Sequence, residues 1–208
     1  MSNGTFDLNL FLKESKETLL NPKSYFSTMK ISGGITEPLI KAVIYGTIAG
    51  IFALLWSVLR IGMITGGLFG TAFGFMVFIW AIIGAVIGLF IGAVILLIIS
   101  SICGGSTDFE ANVRVTAAIL VILPISYFFR FASGLNIYLW MVISLLFSLY
   151  AIWMMYHGLV GALKAKPETS RIACYVLIAL IVLFTIVSLG GRNRLMRTLN
   201  RYNMERMK

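Results

Sequence analysis

The side chains of this sequence that could do chemistry are few, and most lie near the ends of long apolar runs. Glu37 precedes Lys41 by four residues, and Glu110 precedes Arg114 by the same spacing, which is the favourable order for an ion pair along one helix. Ionisable groups within apolar spans are costly, so they often mark a pathway or a partner. The candidate polar site therefore comprises Glu37, Lys41, Asp108, Glu110, Arg114 and Arg130.

Familiar catalytic patterns do not occur, since the sequence has no GK[ST] phosphate loop, no HExxH and no GxSxG. The single histidine, His157, ends an apolar run and lacks a nucleophile or base partner, so we expect an interfacial hydrogen-bonding residue. Cys103 and Cys174 have neither metal-ligand nor disulfide spacing and are expected to be buried thiols. We therefore expect no enzymatic activity, no catalytic residue, no cofactor and no metal site.

The composition is that of an integral membrane protein. Of 208 residues, 59% are hydrophobic and 12% are charged, whereas soluble domains carry about 25% charged residues. The net charge of +9 could suggest nucleic acid, but no basic stretch is interleaved with exposed aromatics in a soluble domain. The expected partners are therefore the lipid bilayer and anionic lipid headgroups, with a protein partner or a second copy left open, and no nucleic acid.

Helices of about 20 apolar residues can cross the hydrocarbon core, and five runs reach that length. They are roughly 39–59, 76–101, 113–132, 136–158 and 172–190. We predict an all-α integral membrane protein with about five transmembrane helices in a compact bundle, plus an N-terminal amphipathic interfacial helix. The expected divisions are an interfacial segment at 1–36, a five-helix domain at 37–190 and a basic tail at 191–208.

Residues 62–101 carry no charge and exceed the length of one span, so they could cross once or twice. A second crossing would bury a hairpin in hydrocarbon, where each free backbone group costs several kcal/mol. We favour one long or tilted helix after a glycine-rich segment. Five spans then place the N-terminal lysines and the loop with Lys164 and Lys166 in the cytoplasm and the basic tail outside, whereas two crossings would return the tail to the cytoplasm.

Glycines recur every four residues along two of these runs. This spacing puts small residues on nearly one helix face, where a neighbouring backbone can approach closely. We predict packing within the monomer rather than a dimer interface. The residues are Gly46, Gly50, Gly84, Gly88 and Gly92, with the same spacing at Gly62, Gly66, Gly70 and Gly74.

The N-terminal segment from about residue 6 to 20 predicts an amphipathic helix on the membrane surface. Its apolar face comprises Leu8, Leu12 and Leu19, with Phe26 beyond it. The alternative is that the helix packs on the protein's own loops. Asn21 and Pro22 end this helix and can start a second short one.

The third apolar run is preceded by residues typical of a helix start and contains a proline that can break a helix. Ser106 or Thr107 can cap the helix, and Asp108 and Glu110 fall in its first turn, where the helix dipole favours anions. Pro124 is expected to kink the helix and free the Leu120 carbonyl. The charges then form a pair at the surface; the alternative is that they line a pathway with Glu37, Lys41 or Arg130. Lys41 can extend its ammonium to the headgroups.

Three features resemble the Yip1 domain family over roughly residues 20 to 190. They are the NPKSYF segment before the first span, the GG-x-x-x-F loop before the proline-bearing third span, and LFSLYAIWMMYHGL in the fourth. The resemblance implies a five-helix membrane domain with a cytoplasmic N-terminus. Eukaryotic members act in vesicle trafficking and associate with small Rab-type GTPases, largely through a longer cytosolic region. This short form is more similar to the bacterial members.

We therefore expect a non-enzymatic protein that organises the membrane or serves as an adaptor, in a bacterial cytoplasmic (inner) membrane. The alternative is a small transporter, channel or lipid-moving protein. Transporters are commonly built from internal repeats with matching broken helices, and no clear repeat occurs here.

Overall fold

The structure, a computed structural model, describes residues 7–59, 61 and 70–206, with side chains described at 7–59, 61 and 74–188. The described chain is almost entirely helical and contains no strand. Its helices are α1 (Leu8–Leu20), α2 (Pro22–Thr28), α3 (Thr36–Val58), α4 (Gly70–Ile102), α5 (Phe109–Ile119), α6 (Ile122–Phe128), α7 (Ala132–Leu135), α8 (Ile137–His157) and α9 (Pro167–Arg206). A 3₁₀ turn (Phe129–Phe131) precedes α7, and a π-helical turn (Gly158–Ala162) extends α8.

Five stretches of the described chain are long and apolar enough to cross a membrane, so the predicted all-α membrane bundle is confirmed. They are Thr36–Val58, Gly74–Ile102, Phe109–Leu135, Ile137–Ala162 and Pro167–Ser188. The run that was ambiguous in sequence forms one helix from Gly70 to Ile102. The preceding glycine segment, with Gly62 and Gly66, lies outside the described residues.

Helices α3 and α4 approach each other closely through two glycines of α3. A Cβ on Gly46 would lie 2.8 Å from the Ala85 Cβ and 2.9 Å from the Ile82 Cα. A Cβ on Gly50 would lie 2.9 Å from the Phe78 carbonyl oxygen. The two backbones approach each other because no side chain separates them.

The prediction that Gly84 and Gly88 of α4 allow close helix packing within the monomer is wrong, because a Cβ on either residue would have no atom within 4 Å. The face of α4 that packs in the bundle carries Ala81, Ala85, Leu89 and Ala93, all buried. Each residue turns a helix by about 100°, so Gly84 and Gly88 lie beside this face rather than on it. The next glycine, Gly92, does make a contact, because its Cβ would meet the Thr116 methyl of α5 at 2.9 Å.

The third span is interrupted rather than kinked, and the expected free carbonyl does not occur. Helix α5 ends at Ile119, α6 begins at Ile122, and the Leu120 carbonyl accepts a hydrogen bond from the Leu123 N–H at 2.9 Å. Pro124 therefore lies in the first turn of α6, where a backbone N–H would have no helical partner. Helix α6 packs on α3, and the Trp56 indole donates to the Tyr127 carbonyl at 3.1 Å.

The N-terminal helices pack on the bundle, and part of their apolar surface remains exposed. Asp7 caps α1, the Phe11 ring lies 5.2 Å from the Tyr45 ring of α3, and Leu8 and Leu12 are exposed. One face of α1 therefore packs on the protein, but on helix α3 rather than on the loops of the stated alternative. Placing Phe26 on a lipid-facing surface was wrong, because it is 0% exposed.

Helix α2 is held against the end of the fourth span. As predicted, Asn21 precedes α2 and Pro22 is its first residue. The Phe26 ring and backbone lie against the π-helical turn, where a Cβ on Gly158 or Gly161 would approach within 3.6 Å and 3.0 Å of Phe26 atoms, respectively. The contact places α1 and α2 on the same side of the bundle as the loop between α8 and α9.

Candidate functional site

The starts of α3 and α5 carry the charges of the candidate site. Glu37 lies in the first turn of α3 and Glu110 in the first turn of α5, where unpaired backbone N–H groups favour a negative charge. Asp108 is itself the N-cap of α5 and accepts from the Ala111 N–H at 2.8 Å. The expected cap at Ser106 or Thr107 was therefore wrong. The Ser106 hydroxyl instead accepts from the Asp108 N–H at 3.2 Å, a contact outside the helix.

Lys41 joins α3 to α1. Its ammonium lies 2.8 Å from Glu37 Oε1, within the same helix, and 2.6 Å from Glu14 Oε2 of α1. Lys41 is only 7% exposed, so the expectation that it extends to the headgroups was wrong. The ammonium is held by carboxylates because burial of an unpaired charge would be costly.

Arg114 joins α5 to α3 and to the loop before α3. Its Nη1 lies 3.0 Å from Glu37 Oε2, its Nε 3.1 Å from Glu110 Oε1, and its Nη2 donates to the Gly34 carbonyl at 2.9 Å. The Gly34 N–H in turn donates to Glu110 Oε1 at 2.6 Å. Arg114 is 5% exposed, so the expected surface pair was wrong, although the predicted i, i+4 partner is present.

Two glycines give the loop its shape around this guanidinium. Gly33 and Gly34 have φ of 132° and 93°, a region that L side chains rarely adopt. A Cβ on Gly33 would also lie 2.9 Å from Arg114 Nη2. The loop therefore depends on glycine for both its backbone conformation and its close contact.

We call the group Glu14, Lys41, Glu37, Arg114 and Glu110 the ion network. It is continuous because the two oxygens of Glu37 contact the two cations. It connects three helices that are distant in sequence, with Glu37 and Arg114 separated by 77 residues. When one member of a buried ion pair is removed, the charge of its partner is left uncompensated, and the fold is strongly destabilised.

A cavity of about 400 Å³ lies beside the ion network, between α1, α2 and the starts of α3 and α5. Burial raises the pKa of the Tyr25 phenol in its wall, and nearby Lys41 offsets part of that effect. The phenol is therefore neutral at physiological pH. The polar groups on the lining are Lys13, Glu14, Glu17, Tyr25, Thr28, Lys30, Glu37, Lys41 and Arg114.

The sequence placed Arg130 and Asp108 in the site, and neither forms an ion pair with a member of the ion network. Arg130 lies at the other end of the third span, with its guanidinium carbon 5.2 Å from the centre of the Tyr127 ring. Asp108 serves the start of α5. His157 is not a member of the network either, and its ring lies 4.9 Å from that of Trp153. No group of three His, Cys, Asp or Glu side chains suited to a metal ion occurs in the described part of the chain.

Sequence reasoning missed Glu14 and the Gly33–Gly34 loop. Glu14 belongs to the segment predicted as an amphipathic helix, and nothing in its neighbours predicts a contact with Lys41, 27 residues further along. The adjacent glycines before α3 were a usable signal, since paired glycines often mark a loop with positive φ.

The comparison with protein families identifies the Yip1 domain. The Yip1 domain family model matches residues 16–189, which is well over half of the chain and includes all five spans in full. The matched region also contains Lys41, Glu37, Arg114 and Glu110 of the ion network. No curated protein and no solved structure matches the sequence. The chain therefore belongs to the Yip1 domain family.

Proposed function

We propose that this multi-pass membrane protein is a non-enzymatic membrane-organising or adaptor protein. In this role the bundle holds α1 and α2 at the membrane surface, where their exposed side chains meet anionic headgroups and a protein partner. The proposed location is a bacterial cytoplasmic membrane, with α1 and α2 on the cytoplasmic side.

The observation that carries this proposal is the attachment of α1 to the bundle by the ion network. Glu14 contacts Lys41 at 2.6 Å, and the Ser15 hydroxyl lies 2.8 Å from the Tyr45 hydroxyl. Leu8 and Leu12 nevertheless remain exposed, as does Lys16. A helix that is fixed on one side and presents leucine and lysine on the other is suited to bind lipid or protein rather than to transform a substrate.

The charges of the ion network also argue against a catalytic role. Each carboxylate that it contains accepts from at least one cation, and Arg114 uses all three of its nitrogens. A catalytic acid or base needs a substrate within hydrogen-bond reach and a protonation state that can change. Here the carboxylates are occupied by structural partners.

One observation favours the second candidate, a small transporter, channel or lipid-moving protein. The third span is broken at Leu120 and Val121, and discontinuous helices often build transport sites. The break carries no free polar group at Leu120, however, because its carbonyl is bonded to the Leu123 N–H. The neighbouring interior is formed by small apolar residues such as Ala117, Ala118 and Ala93.

Site-specific photocrosslinking in native membranes tests the proposal. A photoreactive residue at Leu12 should capture anionic phospholipid and a discrete protein, whereas the same residue at Val187, on the lipid-facing surface of α9, should capture bulk lipid only. The change Glu14→Gln should reduce the specific product at Leu12 without changing the product at Val187, because it loosens α1.

Reconstitution separates the two candidates. The purified protein in vesicles should move neither lipid nor small solutes across the bilayer. Identical crosslinking at Leu12 and Val187, together with transport in vesicles, would contradict the adaptor role and support the second candidate.

A further inference from the structure

The cavity beside the ion network has a mixture of charges that the adaptor role does not explain. Its volume of about 400 Å³ falls within the range of about 300 to 1,000 Å³ that is typical of pockets for small molecules. Of its charged lining residues, Lys41 and Arg114 are buried, whereas Lys13, Glu17 and Lys30 are exposed. The cavity therefore extends from the buried ion network to the protein surface.

The buried side of the cavity carries an excess of negative charge. The ion network has three carboxylates, those of Glu14, Glu37 and Glu110, for two cations. Glu14 and Glu37 line the cavity, and 27% and 44% of their side-chain surfaces remain exposed. A carboxylate offers about four lone-pair positions, so both can accept further hydrogen bonds. A ligand group that reaches this side should therefore be a positively charged hydrogen-bond donor.

The exposed side of the cavity has the opposite charge balance. Helix α1 contributes Lys13 and Glu17, which share one helix face because they are four residues apart. Lys30 comes from the segment that follows α2. Within the described part of the chain, Lys13, Glu17 and Lys30 form no ion pair. Two cations beside one carboxylate leave a positive charge available to an anion.

The charges of the whole site balance, and this balance favours a ligand with charges of both signs. The excess negative charge of the ion network offsets the excess positive charge at the surface, so a simple anion or a simple cation gains little net attraction. A zwitterion with its ammonium beside Glu14 and Glu37 and its anionic group beside Lys13 and Lys30 complements both sides. Its ammonium must be the deeper group, because the excess of carboxylates lies on the buried side.

We propose that this cavity binds a phosphoethanolamine group, with its primary ammonium on Glu14 and Glu37 and its phosphate on Lys13 and Lys30. In a phospholipid of this class the ammonium is the terminal group and the phosphate joins it to the glycerol. The order of the two charges in the headgroup thus matches their order in the cavity. The binding site goes beyond the adaptor role, and only the lipid source of the group rests on that role, which places α1 and α2 at the membrane surface.

Lipid binding to the full chain, delipidated in detergent, tests the ammonium contact. Native mass spectrometry should show one retained phosphatidylethanolamine, and this lipid should raise the melting temperature as its concentration increases. Phosphatidylcholine should bind about tenfold more weakly, because its methylated nitrogen has no N–H to donate to the carboxylates. Phosphatidylglycerol, which has the phosphate but no ammonium, should be weaker by a similar factor of about ten. Equal binding of the three lipids would overturn the proposal.

Matched lysines test the phosphate contact. Lys13 and Lys30 line the cavity, whereas Lys16 of α1 and Lys23 of α2 are exposed outside it. Lys13→Gln and Lys30→Gln should each weaken the binding of phosphatidylethanolamine about fivefold, because each removes a charge-assisted contact to phosphate. Lys16→Gln and Lys23→Gln should leave the affinity unchanged. Equal losses from all four changes would contradict the cavity site, while specific crosslinking at Leu12 would still support the adaptor role.

A change of size tests the cavity without removing a charge. Leu10→Trp should fill the cavity from α1 and prevent binding of phosphatidylethanolamine, whereas Leu12→Trp, which lies outside the lining, should not. A Leu10→Trp protein that keeps its melting temperature without lipid and still binds the lipid as tightly as the wild type overturns the proposal.

Glycerophosphoethanolamine distinguishes the two sources of the headgroup, because it has the same charges but no acyl chains. A rise in melting temperature at the concentrations effective for phosphatidylethanolamine would assign the cavity to a soluble molecule. A rise with the lipid alone at those concentrations would assign it to a membrane lipid. If neither compound raises the melting temperature, the cavity does not bind phosphoethanolamine.

Discussion

At the scale of single residues, Glu37 determines the arrangement of the candidate site. Its two carboxylate oxygens contact Lys41 at 2.8 Å and Arg114 at 3.0 Å, so one side chain holds both buried cations. Glu14 and Glu110 contact the same cations from two other helices, so three carboxylates surround two cations. The network is therefore a tertiary feature, and its members should respond to substitution together rather than as separate helix pairs.

Arg114→Gln should lower the free energy of unfolding by about 3 kcal/mol, because Glu37 and Glu110 then lose a cation in a partly buried site. Thermal unfolding in detergent measures the effect. Arg130→Gln, which removes the cation beside the Tyr127 ring, should cost about 1 kcal/mol or less.

A double-mutant cycle should show that the network acts as one unit. Arg114→Gln and Glu37→Gln together should cost less than the sum of the single changes, by about 0.5 to 3 kcal/mol, since the groups share one contact. Strictly additive costs of about 0.2 to 0.5 kcal/mol each would instead mean that Arg114 makes only an exposed helix pair.

At the scale of helices, glycine matters where two backbones meet. Gly46 and Gly50 allow α3 to lie against α4, whereas Gly84 and Gly88 have open space around them. The same four-residue spacing thus has two outcomes, and the difference is the rotation of each helix about its own axis.

Gly46→Leu should destabilise the protein by about 1 to 3 kcal/mol, because its Cβ alone would approach the Ile82 backbone to 2.9 Å. The matched change Gly88→Leu should leave the melting temperature in detergent unchanged. Equal losses from both changes would contradict the assigned rotation of α4.

The attachment of α1 can be tested by amide hydrogen exchange. Glu14→Gln removes the carboxylate that contacts Lys41 at 2.6 Å, so exchange in α1 should accelerate. Exchange in α3 should change little, because its backbone hydrogen bonds and its contact with α4 remain. Uniform acceleration across both helices would indicate a loss of global stability instead.

The number of spans could be predicted from the sequence because hydropathy over about 20 residues is a local property. The pairs Glu37–Lys41 and Glu110–Arg114 were predictable for the same reason, since each lies within one helix. The Glu37–Arg114 contact joins residues 77 positions apart and depends on how α3 and α5 pack. Hydropathy does not encode that packing, and it also does not set which face of α4 is buried.

At the scale of the whole molecule, the charges are distributed by side. The α1–α2 segment, the loop between α4 and α5, and the loop between α8 and α9 meet on one side of the bundle, where the Ser106 N–H donates to the Leu163 carbonyl at 2.8 Å. This side carries Lys13, Lys16, Lys164 and Lys166. The positive-inside rule therefore favours it as the cytoplasmic side.

Five crossings then require the segment after Ser188 to lie on the opposite side, even though it carries five arginines. Helix α9 is compatible with this layout, since its 40 residues extend to about 60 Å, twice the hydrocarbon thickness of about 30 Å. Basic residues near the C-terminus oppose the layout electrostatically, so the packing of α9 on α8 must outweigh them. The side reached by this segment is therefore the sharpest test of the fold as a whole.

Substituted cysteines and a membrane-impermeant maleimide provide that test, because Cys103 and Cys174 are buried. Lys16→Cys should react in inside-out vesicles, and Leu135→Cys, which is exposed at the opposite end of the third span, should react in intact spheroplasts. Arg197→Cys should follow Leu135→Cys, since α9 crosses once. If Arg197→Cys reacts together with Lys16→Cys, the number of crossings is even, both ends lie in the cytoplasm, and the five-span layout is wrong.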